Sequence, residues 1–193
     1  MRGWRFIERA AEANGATLAE FALTLPLLVA LLYAVFDFGG ALTLKQKLGS
    51  AVYECARAGA SQGTGDLSNA SVGTSVSGSV ANLRDTVANS LLSAGVNDCG
   101  LLGGGTLVQT PTAFRWVYSA NTGCPGTLKL TIERQNVVSA ASGGVTVQMI
   151  YTHVALEYPF QWRLAKVIQL VSPGGTFSGS TLIKEDAAMP NLN

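Results

Sequence analysis

Between Phe21 and Phe36 the chain carries no charged side chain, and this run limits the folds open to it more than any other feature. Sixteen residues rise about 24 Å as an α-helix, and continuation to Leu44 takes the helix past the ~30 Å hydrocarbon core of a bilayer. Arg2, Arg5 and Arg9 precede the run, while Lys45 and Lys47 follow it. The modest basic excess before the span predicts a cytoplasmic N-terminus and an extracytoplasmic remainder, in a single-pass cytoplasmic-membrane protein. A secretory signal cut near Gly39 and Ala41 is the competing reading. Asp37 beside that cut, and a helical pattern running straight through it, count against it.

Beyond the span, apolar residues recur at Ala41, Leu44, Leu48, Ala51, Val52, Cys55, Ala56 and Gly59, the spacing of one helix face. Lys47, Ser50, Glu54 and Arg57 fall on the other face. The membrane helix therefore continues as an amphipathic helix toward Ser61, with a stripe that needs covering. A Gly/Ser/Thr-rich loop is expected over residues 62–78. Ser79 to Ala94 reads as a second helix, with Val80, Leu83, Val87 and Leu91 on one face and Gly95 as its stop.

The rest is strand-like. Short runs at Thr106–Gln109 and Ala113–Ser119 precede Leu128, Leu130 and Ile132, which alternate with polar residues as on a half-buried strand. Val145, Val147, Met149 and Tyr151 alternate likewise, but Val154, Leu156 and Tyr158 fall on the opposite parity, which predicts a bulge or break near Thr152 and His153. A last strand is expected over Thr176–Lys184, with a frayed tail after Asp186. The fold class is α+β: a long membrane-spanning helix continuing as an amphipathic one, packed with a second helix on a small antiparallel sheet.

Thirteen basic against twelve acidic residues give no field for nucleic acid, which is not expected as a partner. Cys99 and Cys124 enclose a Gly-rich segment of the exported part and are expected to pair as a disulfide there. Zinc is the other use of such cysteines, but a single histidine and no C-x-x-C pair argue against it, and no metal or cofactor is expected. Gly103, Gly104 and Gly105 lack the lysine and helix start of a phosphate loop. His153, the sole histidine, could anchor a hydrolase, but no serine elbow or carboxylate motif accompanies it, and no enzymatic activity is expected. Trp116, Tyr118 and Trp162 could line the site of an anchored binding module.

Glu20 stands apart. A carboxylate on an apolar membrane helix costs about 2.5–3.5 kcal/mol at mid-bilayer and less near the interface. At a helix start the macrodipole favours it, so it fits at headgroup level without further role. A second role arises if the chain is cut after Gly15: Ala16 then gains a free amine, Glu20 becomes the fifth residue, and a neighbouring subunit's amine can pair with its carboxylate. Pro26 breaks the helical bond to the Ala22 carbonyl. This is either a kink that serves exit from the bilayer or an ordinary membrane-helix proline. Asp37 is either a subunit contact or a mark of the outer interface, and its place about 25 Å along the helix from Glu20 favours the interface.

The segment Gly15-Ala16-Thr17-Leu18-Ala19-Glu20-Phe21 resembles the Gly-x-x-x-x-Glu-aromatic processing site of type IV pilin-like proteins. Together with Leu25-Pro26-Leu27-Leu28, Phe36-Asp37-Phe38-Gly39 and Glu54-Cys55-Ala56-Arg57-Ala58-Gly59 it is similar to the TadE-like family. That family usually has Glu at the place of Asp37 and an aromatic or Arg at the place of Gly40. The resemblance implies a minor pilin or pseudopilin of the tight-adherence pilus. Its leader, 1–15, would be removed by a membrane prepilin peptidase between Gly15 and Ala16. Residues 16–61 would form the anchor and 62–193 the exported head. Glu20 and Phe21 would serve subunit assembly, and the partners would be the membrane, the peptidase, other pilin-like subunits and the assembly platform. A membrane-anchored binding or adhesion module that never enters a filament remains the alternative.

Overall fold

The computed structural model describes residues 4–63, 78–109, 114–142, 145–163, 165 and 179–191. Helix α1 spans Trp4–Ser61 without interruption, Pro26 included, and helix α2 spans Gly78–Ser93. Among the described residues five strands follow: β1 Thr106–Gln109, β2 Arg115–Ala120, β3 Leu128–Ser142, β4 Val145–Gln161 and β5 Ser180–Pro190. They form one antiparallel sheet in chain order, β1-β2-β3-β4-β5. The chain divides into two compact units: Met1–Gly40 with Trp162–Gly179, and Ala41–Gln161 with Ser180–Asn193. Most of the loop expected over 62–78 lies outside the described residues, as does the Thr176 start of the last expected strand.

In the larger unit the amphipathic stripe is covered as expected. Leu48, Ala51, Val52, Cys55 and Ala56 of α1 are fully buried, and so are Val80, Leu83, Val87, Ala88 and Leu91 of α2. They share a core with Trp116 and Tyr118 of β2, Leu128, Leu130 and Ile132 of β3, and Val154, Leu156 and Tyr158 of β4. At roughly 1.5–3 kcal/mol per large apolar side chain, this interdigitation is what holds helices to sheet.

Both helices end on a cation from another element. Gly95, at φ 71°, stops α2 with paired bonds from Gly95 N to Leu92 O and Val96 N to Leu91 O. Lys47 Nζ donates to the next carbonyl, Ala94 O, at 2.6 Å. At the end of α1, the guanidinium of Arg134 donates from Nη2 to Gly59 O and Gln62 O, both at 2.9 Å. Positive charge at a helix C-terminus complements the macrodipole, and two charge-assisted bonds make Arg134 a tie between β3 and α1.

The expected irregularity near Thr152 and His153 lies at that level of the sheet but on the neighbouring strand. Glu133 pairs with His153 and Asn136 with Tyr151, so Arg134 and Gln135 together oppose Thr152. Gln135 takes a φ of 60° to do so. Strand β4 itself runs through. The last strand differs too: it continues past Asp186 to Pro190, held by Asn191 N to Ile150 O at 2.8 Å and Thr152 Oγ1 to Asn191 Oδ1 at 2.7 Å.

One core group is left incomplete. The Tyr118 hydroxyl is buried with no hydrogen-bond partner among the described residues, while the Arg84 guanidinium sits 5.6 Å from the centre of its ring. Burial raises the Tyr118 phenol above its ordinary range; Arg84 opposes this and Asp85 adds to it. A raised folded-state value means that stability is complete below about pH 10 and falls as pH climbs through the folded value. Tyr118→Phe is therefore expected to stabilise the protein by about 1 kcal/mol at pH 7 and to flatten the alkaline decline. Melting curves of the detergent-solubilised chain against pH check this; a destabilised variant would mean that the hydroxyl has a partner.

Candidate functional site

Every residue singled out for processing and assembly lies on α1. Gly15 sits within the helix and is exposed, as are Glu20 and Phe21. Among the described residues Glu20 makes no hydrogen bond or ion pair, and nothing lies within 4 Å of a side chain built at Gly15. From Leu18 to Phe38 the large apolar side chains point outward on all sides, with Leu23 79%, Leu27 72% and Phe36 77% exposed. An all-round apolar helix suits lipid or other helices, since burial of such surface is worth about 25 cal/mol per Å². The helix is long and apolar enough to cross a membrane. Asp37 differs from expectation. It is 5% exposed, so a carboxylate foreseen at a wet interface is buried, and it has an interaction partner.

The residues of the two rival readings are placed otherwise. Trp116 and Tyr118 are 2% and 1% exposed, because their parity on β2 turns them toward the helices; they are core and cannot line an open site. Trp162 belongs to the other compact unit. His153 lies on the outer face of the sheet, with Nδ1 3.2 Å from Glu133 Oε2 and Nε2 3.4 Å from Asp186 Oδ2. Arg115 Nε binds the other oxygen of Glu133 at 3.0 Å. Both ring nitrogens thus face carboxylates, and no nucleophile is among these contacts. Among the described residues no group of three His, Cys, Asp or Glu side chains is arranged to hold a metal ion.

Cys99 and Cys124 form a disulfide, with Cα atoms 5.4 Å apart. Asn97 braces the loop by accepting from Cys99 N and donating to Gly123 O, both at 2.9 Å, and Asp98 accepts from Leu102 N at 2.7 Å. The Tyr158 hydroxyl donates to Asn97 O at 3.0 Å, tying this loop to β4. Cys55 is a buried free thiol whose Sγ donates to Leu83 O at 3.4 Å, a core residue as expected. An open groove of about 580 Å³ runs between Glu54, Arg57 and Ser61 of α1 and Met189 and Pro190 of β5.

Arg134 was not foreseen as a structural residue. Its signal was present in Leu130-x-Ile132-x-Arg134, where a charge falls at a core-facing position and demands a buried partner.

A helix fit to cross a membrane, joined to an α+β head stapled by a disulfide, defines the class: a helix-anchored α+β protein. Residues 15–57 match the family described as TadE-like protein. The match begins at Gly15, ends in the last turns of α1, and covers neither α2 nor the sheet. No curated protein matches the chain, and no solved structure does.

Proposed function

We propose that this protein is a minor pilin or pseudopilin of a tight-adherence pilus, acting by helix packing rather than by chemistry. The observation that carries the reading is the TadE-like match over residues 15–57, which starts on Gly15 of an exposed apolar helix whose Glu20 is exposed and has no partner among the described residues. A membrane prepilin peptidase cuts between Gly15 and Ala16 on the cytoplasmic side; glycine before the bond leaves the backbone open to the enzyme. Removal of the leader leaves equal numbers of acidic and basic side chains. The new amine of one subunit then pairs with Glu20 of a neighbour in an apolar setting, and Phe21 packs beside it. The head stays outside the cytoplasmic membrane, and pilin-like subunits and the assembly platform are the partners.

Expression with and without the cognate peptidase, followed by N-terminal sequencing, tests the first step. Ala16 is expected as the first residue only in the presence of the enzyme; an uncut Met1, or a cut beyond Phe38, rejects the reading. Glu20→Gln is expected to leave cleavage intact while lowering recovery of partner complexes roughly tenfold or more, the loss of a charge-assisted contact worth about 1.5–3 kcal/mol. Unchanged recovery would remove the pairing role.

A further inference from the structure

Past the bulge, β3 and β4 pair only with each other among the described residues. Their pairing continues from Asn136 with Tyr151 to Ser142 with Val145. Strand β2 leaves β3 at Glu133, and β5 leaves β4 at Tyr151. Among the described residues no strand pairs with the outer edge of β3 from Val137 to Ser142. Residues 136–152 include no charged side chain, and Val137, Val138 and Met149 are about half exposed.

Among the described residues, the outer edges of β1 and β5 are guarded, whereas the edge of β4 from Val145 to Met149, past the end of β5, is uncharged like that of β3. Strand β1 has only four residues. Strand β5 carries Lys184, with Nζ 2.6 Å from Glu157 Oε1, then Asp186, and it ends on Pro190. Shortness, edge charge and proline are the devices that stop strand-to-strand joining. The β3–β4 arm has none of them, which marks its edge as a surface for pairing.

Lipid does not suit this surface, because an open edge leaves N–H and C=O groups that hydrocarbon cannot satisfy. A second strand does. We propose that the arm pairs with the arm of a second copy of this chain, β3 edge against β3 edge and antiparallel, about a two-fold axis near Ser139. Charge selects this occupant. Two such arms meet without opposing like charges or burying an unpaired one, whereas the edge of β5 would bring Lys184 and Asp186 against an uncharged strand.

Size sets the conditions. Six residues, Val137 to Ser142, extend about 20 Å, and a face about 10 Å wide gives roughly 200 Å² per copy, against about 800 Å² per partner in a stable interface. Arm pairing is thus weak between free copies and requires a shared membrane or filament, which raises effective concentration to the order of millimolar.

The experiment uses the full chain with Ser139→Cys in lipid vesicles that contain no other protein, so its outcome does not depend on peptidase processing or pilus assembly. Cys55 is buried and Cys99 is bonded to Cys124, so the introduced thiol is the reactive one among the described cysteines. Antiparallel partners in register have Cα atoms about 4.5–5.5 Å apart, within disulfide reach. Mild oxidation is expected to give a covalent dimer in at least about tenfold higher yield than Ala188→Cys on β5, with Val137→Lys suppressing it at unchanged melting temperature. Equal yields from the two positions, or a yield indifferent to Val137→Lys, overturn the proposal. Cross-linking in native membranes to a different protein alone overturns it as well, and assigns the arm to a partner of another sequence.

Discussion

Gly59→Ala is expected to destabilise the protein by about 1–2 kcal/mol, although the same change inside an unhindered helix gains about 1 kcal/mol. A Cβ at this position would lie 2.7 Å from Thr152 Cγ2 and 3.2 Å from Leu83 Cδ1. Neither neighbour yields easily. Thr152 is fully buried on β4 and its hydroxyl is committed to Asn191, so turning it away breaks that bond. Gly59 also supplies a carbonyl to Arg134, so any shift of the helix end loosens the tie as well. Gly59→Val is expected to cost more, about 3 kcal/mol. Thr152→Ser removes the offending methyl and keeps the hydroxyl, so the double variant with Gly59→Ala should recover most of the loss. Gly49→Ala is the control: its Cβ would meet Glu185 Oε2 at an ordinary 3.6 Å, and a gain in melting temperature is expected. Denaturation of the four variants in detergent decides the matter, and a Gly59→Ala protein as stable as Gly49→Ala would refute the close approach.

Loss of the Cys99–Cys124 bond, by reduction or by paired serine substitutions, is expected to lower stability by about 3.5 kcal/mol, the chain-entropy value for a loop of this length. The sequence separation is 25. The loop keeps other fastenings, through Asn97 to Gly123 and Cys99, Asp98 to Leu102 and Tyr158 to Asn97. The native arrangement should therefore survive, with the unfolded chain gaining freedom. Circular dichroism should change little while the unfolding midpoint drops. A collapse of secondary structure on reduction would show instead that the bond holds the folded loop together.

Much of this architecture could be read from residue pattern, because burial on one side imposes a period. Leu128, Leu130 and Ile132 announced β3, and Val80, Leu83, Val87 and Leu91 announced α2 within a residue of its observed ends. Pattern failed where burial stops deciding. The parity change along β4 was legible, but not that the extra residue sits in β3: beyond the bulge, one strand's alternation no longer reports which strand carries the insertion. The end of β5 was missed because Ala187, Ala188 and Met189 form no strong alternation; pairing with β4 and the bond of Asn191 to Ile150 hold it. Aromatic alternation at Trp116 and Tyr118 fits a binding face and a core face equally, and only the position of the helices separates the two. Asp37 looked like an interface marker because hydropathy sees charge and not neighbours. The roles proposed for Gly15, Glu20 and Phe21 rest on motif alone, since all three are exposed in the single chain and no packing marks them.

The strands are laid down in the order in which they are synthesised, each beside the one before it. Under the topology proposed above, in which the head would follow its own anchor through a translocation channel, this order has a kinetic meaning. Every strand emerges next to a template already outside, and no pairing waits for a distant segment. Cys99 and Cys124 can close before β4 has left the channel, while β5, the last to arrive, brings the Glu185 carboxylate within 3.3 Å of Lys45 on the helix that went first. Vectorial delivery from the N-terminus and the final sheet order are therefore matched, and a circular permutant that moved β5 to the front should fold more slowly on export than in a test tube.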